Sequence, residues 1–74
     1  MSRNESKKKL ERILYVCGHT KKSFSELCGL SYPTISRAFD GYYLPAPATV
    51  AIMAEALDMD ARELRVIFFD AQSA

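Results

Sequence analysis

The side chains with the most obvious chemistry are two cysteines, one histidine and an uneven spread of charge. Cys17 and Cys28 are too few for a disulfide scaffold and lack metal-ligand spacing. Both fall on apolar helix faces, which predicts buried free thiols in a reducing compartment. His19 stands alone in a turn, so a solvated loop histidine is expected rather than a ligand or base. No nucleophile–base pair stands out, and 74 residues leave little room for a sizeable pocket. Catalysis, metal and cofactor are therefore not expected. The net charge is only +1, but it is polarised. Residues 1–40 hold eight basic and four acidic side chains (+4), and residues 41–74 hold two and five (−3). Such a split creates a local field that the net value conceals. Lys7, Lys8 and Lys9 fit either the wet face of a helix or a phosphate contact.

Length and composition frame what could position these groups. The chain is one domain at most. Hydrophobic residues at 49% and charged residues at 26% suit a soluble globular fold. No run approaches the ~18 apolar residues of a membrane helix, and no signal-peptide pattern opens the chain, so a cytoplasmic location without membrane contact is expected.

The pattern reads as five short helices. Met1 to Ser6 is a polar tail. Leu10, Ile13, Leu14 and Cys17 follow i, i+3, i+4, i+7, predicting an amphipathic helix over Lys7–Cys17. Gly18 ends it. Thr20 caps a second helix with Phe24 and Cys28 inside, which Gly29 ends. Ser31 caps a third helix with Ile35, Ala38 and Phe39 as its stripe. Asp40-Gly41, Pro45 and Pro47 mark a loop, and Pro47 suits the first position of a fourth helix. Val50, Met53, Ala54 and Leu57 form that helix's stripe. Asp60 with Glu63 opens a fifth, carrying Leu64, Ile67 and Phe68. No alternating strand pattern, internal repeat or low-complexity segment is visible, so the fold class is all-α. The expected organisation is a tail over 1–6, a domain over 7–70 and a tail over 71–74.

Thr20 to Asp40, TKKSFSELCGLSYPTISRAFD, has the layout helix, glycine-containing turn, helix, which is the helix-turn-helix unit. Ser25 is small where two helices approach, Gly29 makes the turn, and Leu30 and Ile35 plug the angle. At this point the chain resembles the Cro/CI-type (XRE-like) helix-turn-helix DNA-binding domains, over about residues 9–65. The resemblance rests on GLSYPTISRAFDG at 29–41, then Pro45, then TVAIMAEALDMDARELRV at 49–66. It implies a compact five-helix, lambda-repressor-like domain whose third helix enters the DNA major groove. It implies base reading by Tyr32, Pro33, Thr34, Ser36 and Arg37. It places Lys21, Lys22, Ser23, Ser31, Tyr42 and Tyr43 at phosphate. The chemistry agrees: helix N-termini attract phosphate, lysines add charge, and arginine bonds guanine at two points. Arg37 could instead pair with Asp40 or Glu26, and the two tyrosines could instead pack on the core.

Two departures from the family pattern stand out. Pro33 replaces a polar residue at the start of the third helix and has no N–H. A Ser31 cap could then serve only the Thr34 amide; otherwise the helix starts one residue late, with Tyr32 at the cap. Pro33 also suits a thymine methyl better than a hydrogen bond. Lys21 stands where the family often has glutamine. Near the C-terminus one helix cannot bury Val66 and Phe69 together with Leu64, Ile67 and Phe68, which predicts a homodimer interface at Val66 and Phe69. The expected function is sequence-specific double-stranded DNA binding by a small transcriptional regulator, a repressor, with no small-molecule effector site. The alternative is a protein-interaction module, such as an antirepressor or antitoxin, acting through the apolar C-terminal helix.

Overall fold

In the computed structural model, residues 3–72 are described, and they form five helices and no strand: α1 (Arg3–Val16), α2 (Lys21–Cys28), α3 (Tyr32–Phe39), α4 (Pro47–Ala56) and α5 (Ala61–Asp70). Each boundary has a local cause. Thr20 Oγ1 accepts from the Ser23 amide at 3.1 Å while Ser23 Oγ accepts from the Thr20 amide at 3.0 Å, a reciprocal cap. Gly29, at φ +70°, closes α2. Ser31 Oγ accepts from the Thr34 amide at 3.3 Å, the bond that Pro33 leaves available, and α3 starts at Tyr32. Pro47 begins α4 without a side-chain cap. Asp60 Oδ1 accepts from the Arg62 amide at 2.7 Å, so the α5 cap reaches the second amide rather than pairing with Glu63. Asp58 takes φ +54° to turn the chain from α4 to α5, a conformation aspartate tolerates better than most residues.

The periodic apolar positions meet in one core. Leu10 and Leu14 of α1, Phe24 of α2, Ile35 of α3, Met53 of α4 and Phe68 of α5 are all buried. Three phenylalanines run through it edge to face: Phe24 to Phe39 at 6.0 Å and Phe39 to Phe68 at 5.4 Å between ring centroids. α2 packs on α3, α4 on α5, and α1 chiefly on α5. This places α2 and α3 side by side, with α3's outer face uncovered.

The expected tails need correction. α1 begins at Arg3, so residues 3–6 are helical, and Ser6 is fully buried. Ser6, Leu10 and Leu14 form an i, i+4, i+8 stripe that starts on a small polar residue. At the other end Ala71 is buried, because Gly41 sits directly against its carbonyl. Met1, Ser2, Ser73 and Ala74 lie outside the described residues.

Candidate nucleic-acid interface

α3 turns Ile35, Ala38 and Phe39 inward. At roughly 100° per residue, Pro33 and Arg37 therefore lie at the centre of its outward face. Tyr32 and Ser36 flank them on one side and Thr34 on the other. Tyr32, Pro33 and Arg37 are exposed, while Ser36 and Thr34 are half-buried. The structure thus brings together the five residues expected to read bases. Arg37 is exposed and makes no ion pair with Asp40, Glu26 or any other described carboxylate, so its five guanidinium donors are not committed to one.

The second group is brought together less completely. Lys22 is exposed. Lys21 is only a quarter exposed, and its Nζ lies 3.2 Å from Asp40 Oδ1, tying the start of α2 to the end of α3. Part of its charge is thereby neutralised. At this exposure the pair contributes at most about 1 kcal/mol. The Ser23 hydroxyl is drawn into the α2 cap and lies 3.2 Å from His19 Nδ1. By the geometry of helix starts, the Lys21 and Lys22 amides have no intrahelical acceptor. Ser31 Oγ lies 2.7 Å from Thr34 Oγ1 as well as capping α3, which couples the two hydroxyls.

Tyr42 and Tyr43 part company. Tyr42 is 72% exposed. Tyr43 packs against the core and its hydroxyl donates to the Thr34 carbonyl at 3.1 Å. A phenol has one proton to donate, so in this conformation Tyr43 cannot also donate to phosphate. It instead anchors the loop after α3 back onto the helix, a bond between residues nine apart that no local pattern announces.

Two further expectations need correction. Cys17 is exposed, because α1 runs past the core just before Gly18; Cys28 is half-buried at the core edge. Burial raises the Cys28 pKa above its ordinary value, which keeps it a neutral thiol. His19 is half-buried rather than solvated, with its ring tilted 6.0 Å from Phe24. The charge asymmetry also needs refinement. The excess on residues 1–40 is spread around α1, and Lys21 is paired, so it does not concentrate on α3. In α5, burial of Leu64, Ile67 and Phe68 turns Arg62 and Arg65 outward, beside Val66 and Phe69, which are 59% and 65% exposed. The outer face of the acidic half is therefore not uniformly acidic.

No group of three or more potential metal ligands exists among the described residues, and none of the described helices is long and apolar enough to cross a membrane. The helix-turn-helix family model matches residues 17–64, more than half of the chain. No curated protein and no solved structure matches it. The match spans α2, α3, α4 and the start of α5, and so includes α3 and the helix it chiefly packs on, α2. The chain belongs to the helix-turn-helix family, as a Cro/CI-type, XRE-like domain of DNA-binding transcription regulators.

Proposed function

We infer that the protein reads specific double-stranded DNA sequences by laying α3 in the major groove, and that it acts as a repressor by occupying its site. The observation that carries this reading is the outward Pro33–Arg37 face of a helix fixed at both ends. Ser31 caps its start, and Tyr43 and Phe39 anchor it to the loop and the core. Fixed orientation is what base reading requires. Arg37 supplies the bidentate donor for guanine, and Pro33 an apolar contact for a thymine methyl. Tyr32, Thr34 and Ser36 complete the reading set. Lys22, Tyr42 and the amides opening α2 and α3 supply phosphate contacts, with Lys21 and Ser31 in supporting positions. Repression needs no additional contact, since occupancy alone excludes a competitor.

Arg37→Ala is expected to weaken the best site by ~1–3 kcal/mol and relax specificity, whereas Lys22→Ala should weaken all duplexes alike and reduce the salt slope by about one. Selection from a random duplex pool, followed by titration at several salt concentrations, reads both effects. If neither substitution changes the titration, the assigned face is wrong.

The α5 surface supports a homodimer. Antiparallel packing of two α5 helices about Val66 would set Arg62 of each copy opposite Asp70 of the other, with Phe69 beside the contact. Such a contact is self-complementary, as two-fold symmetry demands. Two half-sites about 34–36 Å apart would then be bound. Phe69→Glu should abolish dimer in sedimentation at tens of micromolar protein and remove cooperative binding. A wild-type chain that sediments only as monomer and binds half-sites independently would rule out the dimer.

A further inference from the structure

α1 carries apolar surface that neither the core nor the proposed DNA face uses. Tyr15 is 83% exposed and Val16 76%, and Cys17 beside them is exposed too. Val16 and Cys17 border an open groove of about 370 Å³. Ile13 lies in it half-buried, Met59 of the α4–α5 turn forms the opposite wall over a floor of buried Leu57, and Lys9, Arg12 and Glu63 stand at its edges.

The spacing along α1 suits a helical occupant. Lys9, Arg12, Ile13 and Val16 fall at i, i+3, i+4 and i+7, so the groove follows the α1 axis for about two turns, roughly 10 Å. That is the length over which an amphipathic helix sets successive apolar anchors into a groove.

The charge suits an acidic occupant. Lys9 and Arg12 oppose a single carboxylate, Glu63, within the groove, and on the adjoining surface of α1 Lys8 and Glu5 join them, leaving three cations to two carboxylates. Neither Lys9 nor Arg12 is held in an ion pair with another described residue.

The position does not suit DNA. The Lys7 side chain lies over Gly41, immediately after α3. At roughly 100° per residue, Val16 is about 180° around α1 from Lys7. The groove therefore opens on the side of α1 away from the end of α3. A phosphate backbone would meet the cations but leave Ile13, Val16 and Met59 uncovered, above a floor formed by the buried Leu57. The α1 wall also lies outside residues 17–64, the part matched by the family.

We propose that this groove docks an acidic amphipathic helix of a partner protein, with apolar side chains on Ile13, Val16 and Met59 and carboxylates on Lys9 and Arg12. The site stays open when α3 is on DNA and does not depend on α5 pairing. It gives the protein a means of recruiting, or being restrained by, a second protein without vacating its DNA site.

The test uses the isotope-labelled full chain and two synthetic helices. Both carry leucines at i, i+4 and i+7; one has glutamates on the flanks and the other lysines. Amide shifts confined to residues 9–17 and 57–63 are expected with the glutamate peptide, and binding about tenfold weaker, or about 1.4 kcal/mol, with the lysine peptide. Val16→Asp should weaken the glutamate peptide about tenfold, and Arg12→Glu should reverse the preference between peptides. Both positions are exposed, and duplex affinity should stay within about twofold of wild type. Equal response to the two peptides overturns the proposal, as does absence of shifts at millimolar peptide. So do shifts centred on Val66 and Phe69. Loss of duplex affinity in both variants assigns the cations to DNA instead, and protection of the groove by a second copy of the chain assigns it to self-association.

Discussion

Gly41→Ala is expected to destabilise the fold by about 2–5 kcal/mol, roughly twice the cost of the same change at Gly29. Gly41 sits at φ +81°, where a side chain costs about 1–2 kcal/mol. A Cβ there would also run into the Ala71 carbonyl oxygen. Backbone is a poor thing to displace, and overpacking of this kind costs about 1–3 kcal/mol more. At Gly29, φ is +70° but nothing lies within 4 Å of the added carbon, so only the conformational cost applies. The difference between the two variants therefore isolates the contact between the α3 exit and the end of α5. For a domain this small each kcal/mol moves the melting temperature by about 4–8 °C. Thermal unfolding should show Gly41→Ala melting roughly 10 °C or more below wild type and Gly29→Ala close to half that shift. Equal shifts would mean that Gly41 has no steric role. Since Gly41 directly follows α3, the same contact sets where the reading helix ends relative to the body of the protein.

That contact also marks the boundary of what the sequence makes legible. The five helices were readable because each combines a 3.6-residue apolar stripe with punctuation: Gly18, Gly29, Ser31, Pro47 and Asp60 all stand where a helix starts or stops. The Ser31–Thr34 cap is one of the two helix starts that the missing N–H of Pro33 leaves open, the other being a cap at Tyr32. The set expected on α3's outer face came from the family resemblance, and the inward stripe of Ile35, Ala38 and Phe39 is compatible with it. What was not readable is non-local or disguised. Ser6 continues the stripe of Leu10 and Leu14, but a serine hides it, so α1 was expected to begin four residues late. Tyr43 bonds to Thr34, Lys21 to Asp40 nineteen residues on, and Gly41 packs against Ala71 thirty residues on. Each depends on how helices are arranged, not on what lies nearby in the chain. The exposure of Cys17 is similar, since its apolar-face position is correct and only the core's extent decides that nothing covers it.

The largest single loss is expected from Phe39→Ala, about 3–5 kcal/mol. Phe39 is the last residue of α3, is 2% exposed, and is the middle ring between Phe24 and Phe68. Truncation removes its buried area and leaves a cavity bounded by two rings that helices on opposite sides hold apart, so collapse is incomplete. A 74-residue domain has a total stability on the order of 4–11 kcal/mol, so the loss takes a large share of it and, at the lower end of that range, leaves the variant partly or wholly unfolded at 25 °C. Phe39→Leu, which keeps most of the volume, should cost less than about 1.5 kcal/mol. Phe69→Ala, at an exposed position, should stay within about 0.5 kcal/mol. Urea titrations followed by helical circular dichroism rank the three, and a Phe39→Ala loss no greater than that of Phe69→Ala would contradict the packing described. Duplex binding gives a second reading. If Phe39 acts only by holding α3 in place, the apparent affinity of Phe39→Ala should fall by the fraction of chain that remains folded and no further. Its discrimination between the best site and random duplex should be unchanged in that folded fraction, in contrast to Arg37→Ala, which should lose discrimination while fully folded.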